Sequence, residues 1–273
     1  MRPRSNISTT LHKKRQASLQ KKIFAYFVFI LFFISLAILG LTTKEVKINN
    51  IIVSGNSAVT SADIINLAEP ELNKNYFLII PADNILLLRK KEIENDILKN
   101  INQIKSVNIN IEGINKIEIA VTERQASNLW CVGNPTSPGD CYLMDSTGLI
   151  FKESPKFSVN AFPEYFGLIS DANPIGQYYT QGNFQKISDL FYSLGKMSFQ
   201  PQFFNALAGD EYEIYIFGGG KILMDNNSDF ESQLSNLQAL VGNGYIKTDS
   251  ASLKKINYID LRFGNKVAFE LNK

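Results

Sequence analysis

From Ile23 to Thr43 the chain reads IFAYFVFILFFISLAILGLTT, a stretch without one charged residue. As a helix rising ~1.5 Å per residue it reaches about 31 Å, matching the ~30 Å hydrocarbon core of a bilayer. Its apolar residues follow no stripe, so every helical face is greasy, as lipid on all sides requires. A cleaved signal peptide is the rival reading. Its apolar core would span only ~7–15 residues and end on a small-x-small site. This run instead ends on Leu39-Gly40-Leu41-Thr42-Thr43. A single uncleaved transmembrane helix is expected over 23–43.

Charge gives that helix a direction. The formal net charge of +2 combines two opposite parts. Seven of the 28 basic side chains (Arg2, Arg4, Lys13, Lys14, Arg15, Lys21 and Lys22) fall in 1–43 without an acid among them. The other 21 face all 26 acids in 44–273, a net of −5. The positive-inside rule leaves 1–22 as a cytoplasmic basic tail and sends 44–273 across the membrane. Attraction of the tail to anionic lipid is a secondary use. An acidic body argues against nucleic acid as a partner. The single histidine, His12, lies in the tail, which excludes a histidine-based triad or multi-histidine metal site from the body.

Residues 45–123 form the first external domain. Val46–Ser54 is β-rich and ends in the turn signal Gly55-Asn56. Thr60 precedes Ser61-Ala62-Asp63, a hydroxyl cap with a carboxylate behind it, so a helix is predicted to about Ala68, stopping near Pro70. Ile85, Leu88, Ile93, Ile97 and Ile101 recur at helical spacing. Val107, Ile109 and Ile111, then Ile117, Ile119 and Val121, alternate with other residues around Gly113-Ile114-Asn115, a hairpin of half-buried strands. The order is β-α-α-β-β.

That order resembles the POTRA module of bacterial cell-envelope proteins. Ile51-Ile52-Val53-Ser54-Gly55-Asn56, the Asn75-Tyr76-Phe77 loop and the exit Val121-Thr122-Glu123-Arg124 resemble the POTRA domain of the FtsQ family (DivIB in Gram-positive bacteria). A V-x-G-N followed by a capped helix also occurs in POTRA domains of outer-membrane assembly and secretion proteins.

Residues 124–273 form the second external domain. Leu129-Trp130-Cys131-Val132 reads as a strand, followed by an irregular stretch with Pro135, Pro138 and Gly139. Cys141-Tyr142-Leu143-Met144, the turn Asp145-Ser146-Thr147-Gly148 and Leu149-Ile150-Phe151 come next. Phe184, Ile187, Leu190, Phe191, Leu194 and Met197 form one helical stripe, and Phe230, Leu234, Leu237, Leu240 and Val241 a second. Tyr212, Ile214 and Ile216 alternate before the Gly218-Gly219-Gly220 turn and Lys221-Ile222-Leu223-Met224. The ending, Tyr258-Ile259-Asp260-Leu261-Arg262-Phe263, Gly264-Asn265, Lys266-Val267-Ala268-Phe269, resembles the closing strands of the FtsQ/DivIB β domain. The expected fold class is thus α+β: one transmembrane helix, a POTRA-like domain, and a β-rich domain with two helices.

Cys131 and Cys141 flank a short loop across a strand–loop–strand. Outside the cytoplasm thiols tend to oxidise, so a disulfide is favoured over two free buried thiols; two cysteines without a histidine make a poor metal site. A phosphate-loop reading of Gly218–Gly220 needs Lys-Ser/Thr and a helix next, but Lys221-Ile222 opens a strand. Asp145 is better read as bonding its own turn than as a catalytic carboxylate. No Ser-x-x-Lys stands out at a helix start. No enzyme, cofactor, metal or small-molecule substrate is expected.

Recognition remains. The resemblance implies that the last strand of the β domain receives a strand from an FtsB/DivIC-type partner, itself paired with an FtsL-type protein. The residues carried over by motif are Arg262, Phe263, Gly264, Lys266, Val267, Ala268 and Phe269. Phe263 would be the anchor and Arg262 or Lys266 would meet partner carboxylates, while alternation predicts that Phe263 or Phe269 is core. The implied function is a non-catalytic scaffold of the divisome in the cell inner membrane, placed at the septum and helping to control wall synthesis. The alternative is a POTRA-containing envelope transport or assembly factor.

Overall fold

The computed structural model describes residues 7–41, 43–76, 80–157, 161–169, 173–180, 184–225 and 229–272. Arg2, Arg4, Thr42 and Phe77 lie outside the described residues. The fold is mixed α+β, with an N-terminal apolar helix, a POTRA-like domain and a β-rich C-terminal region. Backbone contacts divide it into two units: Met1–Asn100 with Ser106–Thr122, and Ile101–Lys105 with Glu123–Lys273.

Helix α1 spans Ile7–Leu41, so residues 7–22 of the basic tail share one helix with the apolar run. No glycine or proline interrupts 5–39, and the tail is rich in good helix formers such as Lys, Gln, Leu and Ala. Its window Leu19–Leu36 is long and apolar enough to cross a membrane, and none of it is buried within the protein.

In the first unit a single 3-10 turn, Lys44–Val46, replaces the start of the expected strand, and β1 is Asn50–Ser54. Helix α2 (Ser61–Leu72) begins where the cap predicts: the Asp63 N–H donates to Thr60 Oγ1 at 3.2 Å, and the Thr60 hydroxyl donates to Asp63 Oδ2 at 2.6 Å. Pro70 does not stop it. A proline in the last turn removes one intrahelical bond, and the Asn73 N–H still closes the helix on Glu69 O at 2.9 Å. Short strands β2 (Asn75–Tyr76) and β3 (Ile80–Pro81) pair with each other before α3 (Lys90–Asn100). The helical spacing predicted from Ile85 is shared with the preceding turn, where Ile85 is buried without being helical. Strands β4 (Ile104–Ile111) and β5 (Lys116–Glu123) complete a sheet of order β1-β5-β4, with β1 parallel to β5. Gly55 is required where β1 ends. Its φ is +80°, and a Cβ would stand 2.1 Å from the Val121 carbonyl oxygen.

The second unit holds one nine-stranded sheet. Its strands are β6 (Asn128–Asn134), β7 (Ser137–Met144), β8 (Ile150–Glu153) and β9 (Glu164–Phe166), then, after α4 (Phe184–Lys196), β10 (Pro201–Ala206), β11 (Glu211–Ile216) and β12 (Lys221–Asp225). Helices α5 (Phe230–Gly242) and α6 (Ser250–Leu253) lead to β13 (Ile256–Phe263) and β14 (Lys266–Leu271). The order is β14-β13-β12-β11-β10-β9-β6-β7-β8. Three joints are parallel: β12 with β13, and β9 with both β10 and β6.

The stretch expected to be irregular is a tight hairpin, because Asn134 Oδ1 accepts from the Thr136 and Ser137 N–H groups, both at 3.0 Å, and folds the chain back at once. The two predicted apolar stripes are α4 and α5. Phe184, Ile187, Leu190 and Leu194 of α4 and Leu237 of α5 join Trp130, Tyr165, Phe204, Ile214, Ile222 and Ile259 of the sheet in one core. The polar ends of two of the buried aromatics are satisfied. Trp130 Nε1 donates to Gly167 O at 3.1 Å, and the Tyr179 hydroxyl donates to Phe166 O at 2.7 Å. A smaller cluster of Leu129, Cys131 and Phe166 packs with Leu143 and Phe203.

Candidate functional site

Strand β14 ends the nine-stranded sheet. It pairs with β13 on one side, and among the described residues no strand lies along the other. The β13–β14 turn is Gly264-Asn265, with Gly264 at φ +62°. Helix α5 holds it: Asn236 Nδ2 donates to the Gly264 carbonyl at 2.7 Å. Asn257 Nδ2 donates to Glu270 at 2.9 Å near the other end of the pair.

The register is broken between Asp260 and Phe263, and Phe263 sits opposite Lys266 at the turn. Phe263 is 59% exposed and Phe269 37%. The alternation that predicts one of them as core therefore fails. The irregularity carries Phe263 off the inward face, and Phe269, though opposite the buried Ile259, lies on an edge strand that no other described strand covers outside. Val267 is half-buried against the main core, Ala268 is intermediate, and Lys266 is exposed.

Arg262, expected with Lys266 to offer a cation to a partner's carboxylates, already has acidic partners within the chain. Its Nε and Nη2 donate to the two oxygens of Asp260 at 2.9 and 2.7 Å, and Nη1 donates to Glu211 at 2.7 Å. Three of the five guanidinium N–H groups are thus bonded within the chain, and the pKa is raised, chiefly by the Asp260 bond. Burial pushes the Asp260 carboxyl up, but the bonds from Arg262 outweigh it and hold the group below its ordinary value. Glu211 lies two strands away on β11, so no local pattern in the sequence links it to Arg262.

The other residues singled out by sequence lie elsewhere in the unit. Cys131 and Cys141 are directly opposite on β6 and β7, Cα atoms 4.0 Å apart, and joined by a disulfide. Asp145 accepts from the Thr147 N–H at 2.8 Å and the Leu149 N–H at 3.2 Å, bonding its own turn. Its other oxygen accepts from Arg124 Nη1 at 2.6 Å, so the V-T-E-R and D-S-T-G motifs meet. Burial opposes ionisation of Asp145, yet the bonds from Thr147 and Arg124 lower its pKa. Gly218–Gly220 turn β11 into β12.

A cleft of about 640 Å³ opens beside the disulfide, lined by Leu129, Pro138, Cys141, Phe157 and Glu164 among others. Burial raises the Glu164 carboxyl. Among the described residues no group of three or more His, Cys, Asp or Glu side chains is arranged to hold a metal ion.

Among curated proteins none matches the chain. The family model described as POTRA domain, FtsQ-type, matches residues 46–124. Residues 46–124 are thus a POTRA domain of the FtsQ type, consistent with the FtsQ/DivIB family of cell-division proteins.

Proposed function

We propose that the protein is a non-catalytic, single-pass membrane scaffold of the bacterial divisome. It recruits an FtsB/DivIC-type protein, with its FtsL-type companion, by adding the partner's strand to β14. The FtsQ-type domain supports a role in cell division, and the family is generally non-enzymatic. Helix α1 supports a membrane anchor. In this reading its basic end is cytoplasmic, both folded units lie outside the inner membrane, and the protein gathers at the septum to help control wall synthesis.

The observation that carries the reading is the uncovered β14 edge with Phe263 exposed beside it. Unpaired edge groups offer main-chain bonds to an incoming strand, and an exposed aromatic offers an anchor. Lys266 is the cation at this turn for a partner's carboxylates, since Arg262 is bonded to Asp260 and Glu211. Full-length protein carrying Phe263→Asp is expected to lose at least about tenfold in affinity for the DivIC-type partner. Its circular dichroism should stay unchanged. Undiminished co-purification of the partner with a correctly folded variant would count against the edge as the binding site.

A further inference from the structure

At the end of the POTRA domain where the chain arrives from α1, two aliphatic side chains stand exposed on rigid tips. Leu86 is 69% exposed and Ile114 62%. The Leu86 N–H donates to Asn84 Oδ1 at 2.8 Å and the Leu87 N–H to Asn84 O at 3.0 Å, which fixes the first tip as a turn on a buried asparagine. Ile114 tops the β4–β5 hairpin.

Both tips are bonded to the first residues after the helix. The Ile85 N–H donates to Val46 O at 2.9 Å, the Ile48 N–H to Asp83 O at 2.7 Å, and the Asn49 N–H to Asn115 O at 3.0 Å. Even fully extended, the chain from Leu41 to Val46 spans at most about 18 Å and that to Asn49 about 29 Å. Leu86 and Ile114 are therefore tethered within a few tens of ångströms of the point where α1 leaves a bilayer.

The charge around them is of the sign that binds phosphate. Lys44, Lys47, Arg89, Lys90, Lys91 and Lys116 lie on these segments with Glu45, Asp83, Glu92 and Glu112, a local excess of basic residues in a body whose acids otherwise outnumber its bases. Lys47 pairs with Asp83 and Lys116 with Glu112. Lys90 and Lys91 open α3, where the helix dipole disfavours cations, so helix stability does not account for them.

We infer that this end of the POTRA domain docks on the anionic bilayer surface. Leu86 and Ile114 enter the interfacial layer, and Lys44, Lys90 and Lys91 face lipid phosphates. The inference rests on reading α1 as a membrane anchor and is independent of the β14 partner.

The test uses the full chain in vesicles of neutral or anionic phospholipid. A nitroxide is placed singly at Leu86→Cys, Ile114→Cys, Lys99→Cys or Phe29→Cys, with Cys131 and Cys141 left bonded. Lys99, about 14 Å along α3 from Lys90, reports the far end of that helix, and Phe29 reports the anchor. In anionic vesicles, positions 86 and 114 should be shielded from an aqueous nickel chelate at least about fivefold relative to 99. Lys90→Glu with Lys91→Glu, or neutral lipid, should remove most of that shielding, while added inorganic phosphate should not. If 86 and 114 are as open as 99 while 29 is shielded, docking is overturned and the anchor stands. If 29 is open as well, the anchor reading fails and docking falls with it.

Discussion

The two ends of the nine-stranded sheet are finished differently. At the β8 end the chain closes the start of its own edge: the Ile150 N–H donates to Gln177 O at 3.0 Å, the Gly176 N–H to Ile150 O at 2.8 Å, and Leu149 bridges to Tyr178. The disulfide and the Arg124–Asp145 pair lock the hairpins beside it. At the β14 end no segment does the same among the described residues, and Phe263, Phe269 and Leu271 face solvent. An exposed edge invites aggregation unless selection keeps it for something. One end is partly closed and braced from within the chain, and the other is open among the described residues.

Three variants would break or sharpen that contrast, each read by denaturant unfolding of the full chain in detergent through the fluorescence of the only tryptophan, the buried Trp130. The largest effect is expected for Asp145→Ala. It leaves the mostly buried Arg124 guanidinium and two turn N–H groups without their acceptor, a loss of about 3–5 kcal/mol. Because the Asp145 pKa is lowered on folding, its contribution is present above its ordinary value of 3.8 and fades as pH falls through the folded value. Wild-type stability should therefore decline on acidification more than that of the variant. Equal stability of the two at neutral pH would remove the lock from the description of this end.

Replacing both Cys131 and Cys141 with serine should cost about 2–3 kcal/mol by the chain-entropy model for so short a loop. No change would mean that the β6–β7 ladder alone holds the hairpin. The smallest effect is expected for Glu164→Gln, near the middle of the sheet. A carboxyl whose pKa is raised by folding favours the folded state below its ordinary value of 4.5, and that advantage is lost as pH rises through the folded value. The glutamine variant should be more stable than wild type at pH 7, by under about 1 kcal/mol, and should lack this acid-side slope. A less stable variant at pH 7 would show that Glu164 has a partner when ionised.

The parts of the fold legible in sequence are those where one face is buried and the other wet. In β5 and β11 every second residue is buried, and the Thr60 cap marks the start of α2. Strands β9 and β10 escape that logic. Glu164–Phe166 is too short to show a period, and in Phe203-Phe204 adjacent aromatics serve opposite faces, one in each cluster. The closing segment from Arg262 to Phe269 is readable as strand–turn–strand. Its openness is not, because it depends on sheet order, and while Asp260 is only two residues from Arg262, its other carboxylate partner, Glu211, lies 51 residues earlier in the chain.

Strand β9 has a kinetic consequence. Its three residues, with the Pro163 carbonyl that accepts from the Leu129 N–H at 2.9 Å, carry the hydrogen-bonded seam between β6–β8 and β10–β14 among the described residues, pairing Tyr165 with Trp130 on one side and Phe204 on the other. Parallel joints of this kind need distant stretches of chain to arrive before any closure entropy is repaid. The sheet therefore has a conditional step: the antiparallel β6–β8 and β10–β12 ladders can zip locally, but these ladders fuse only when the 163–166 stretch slots between them.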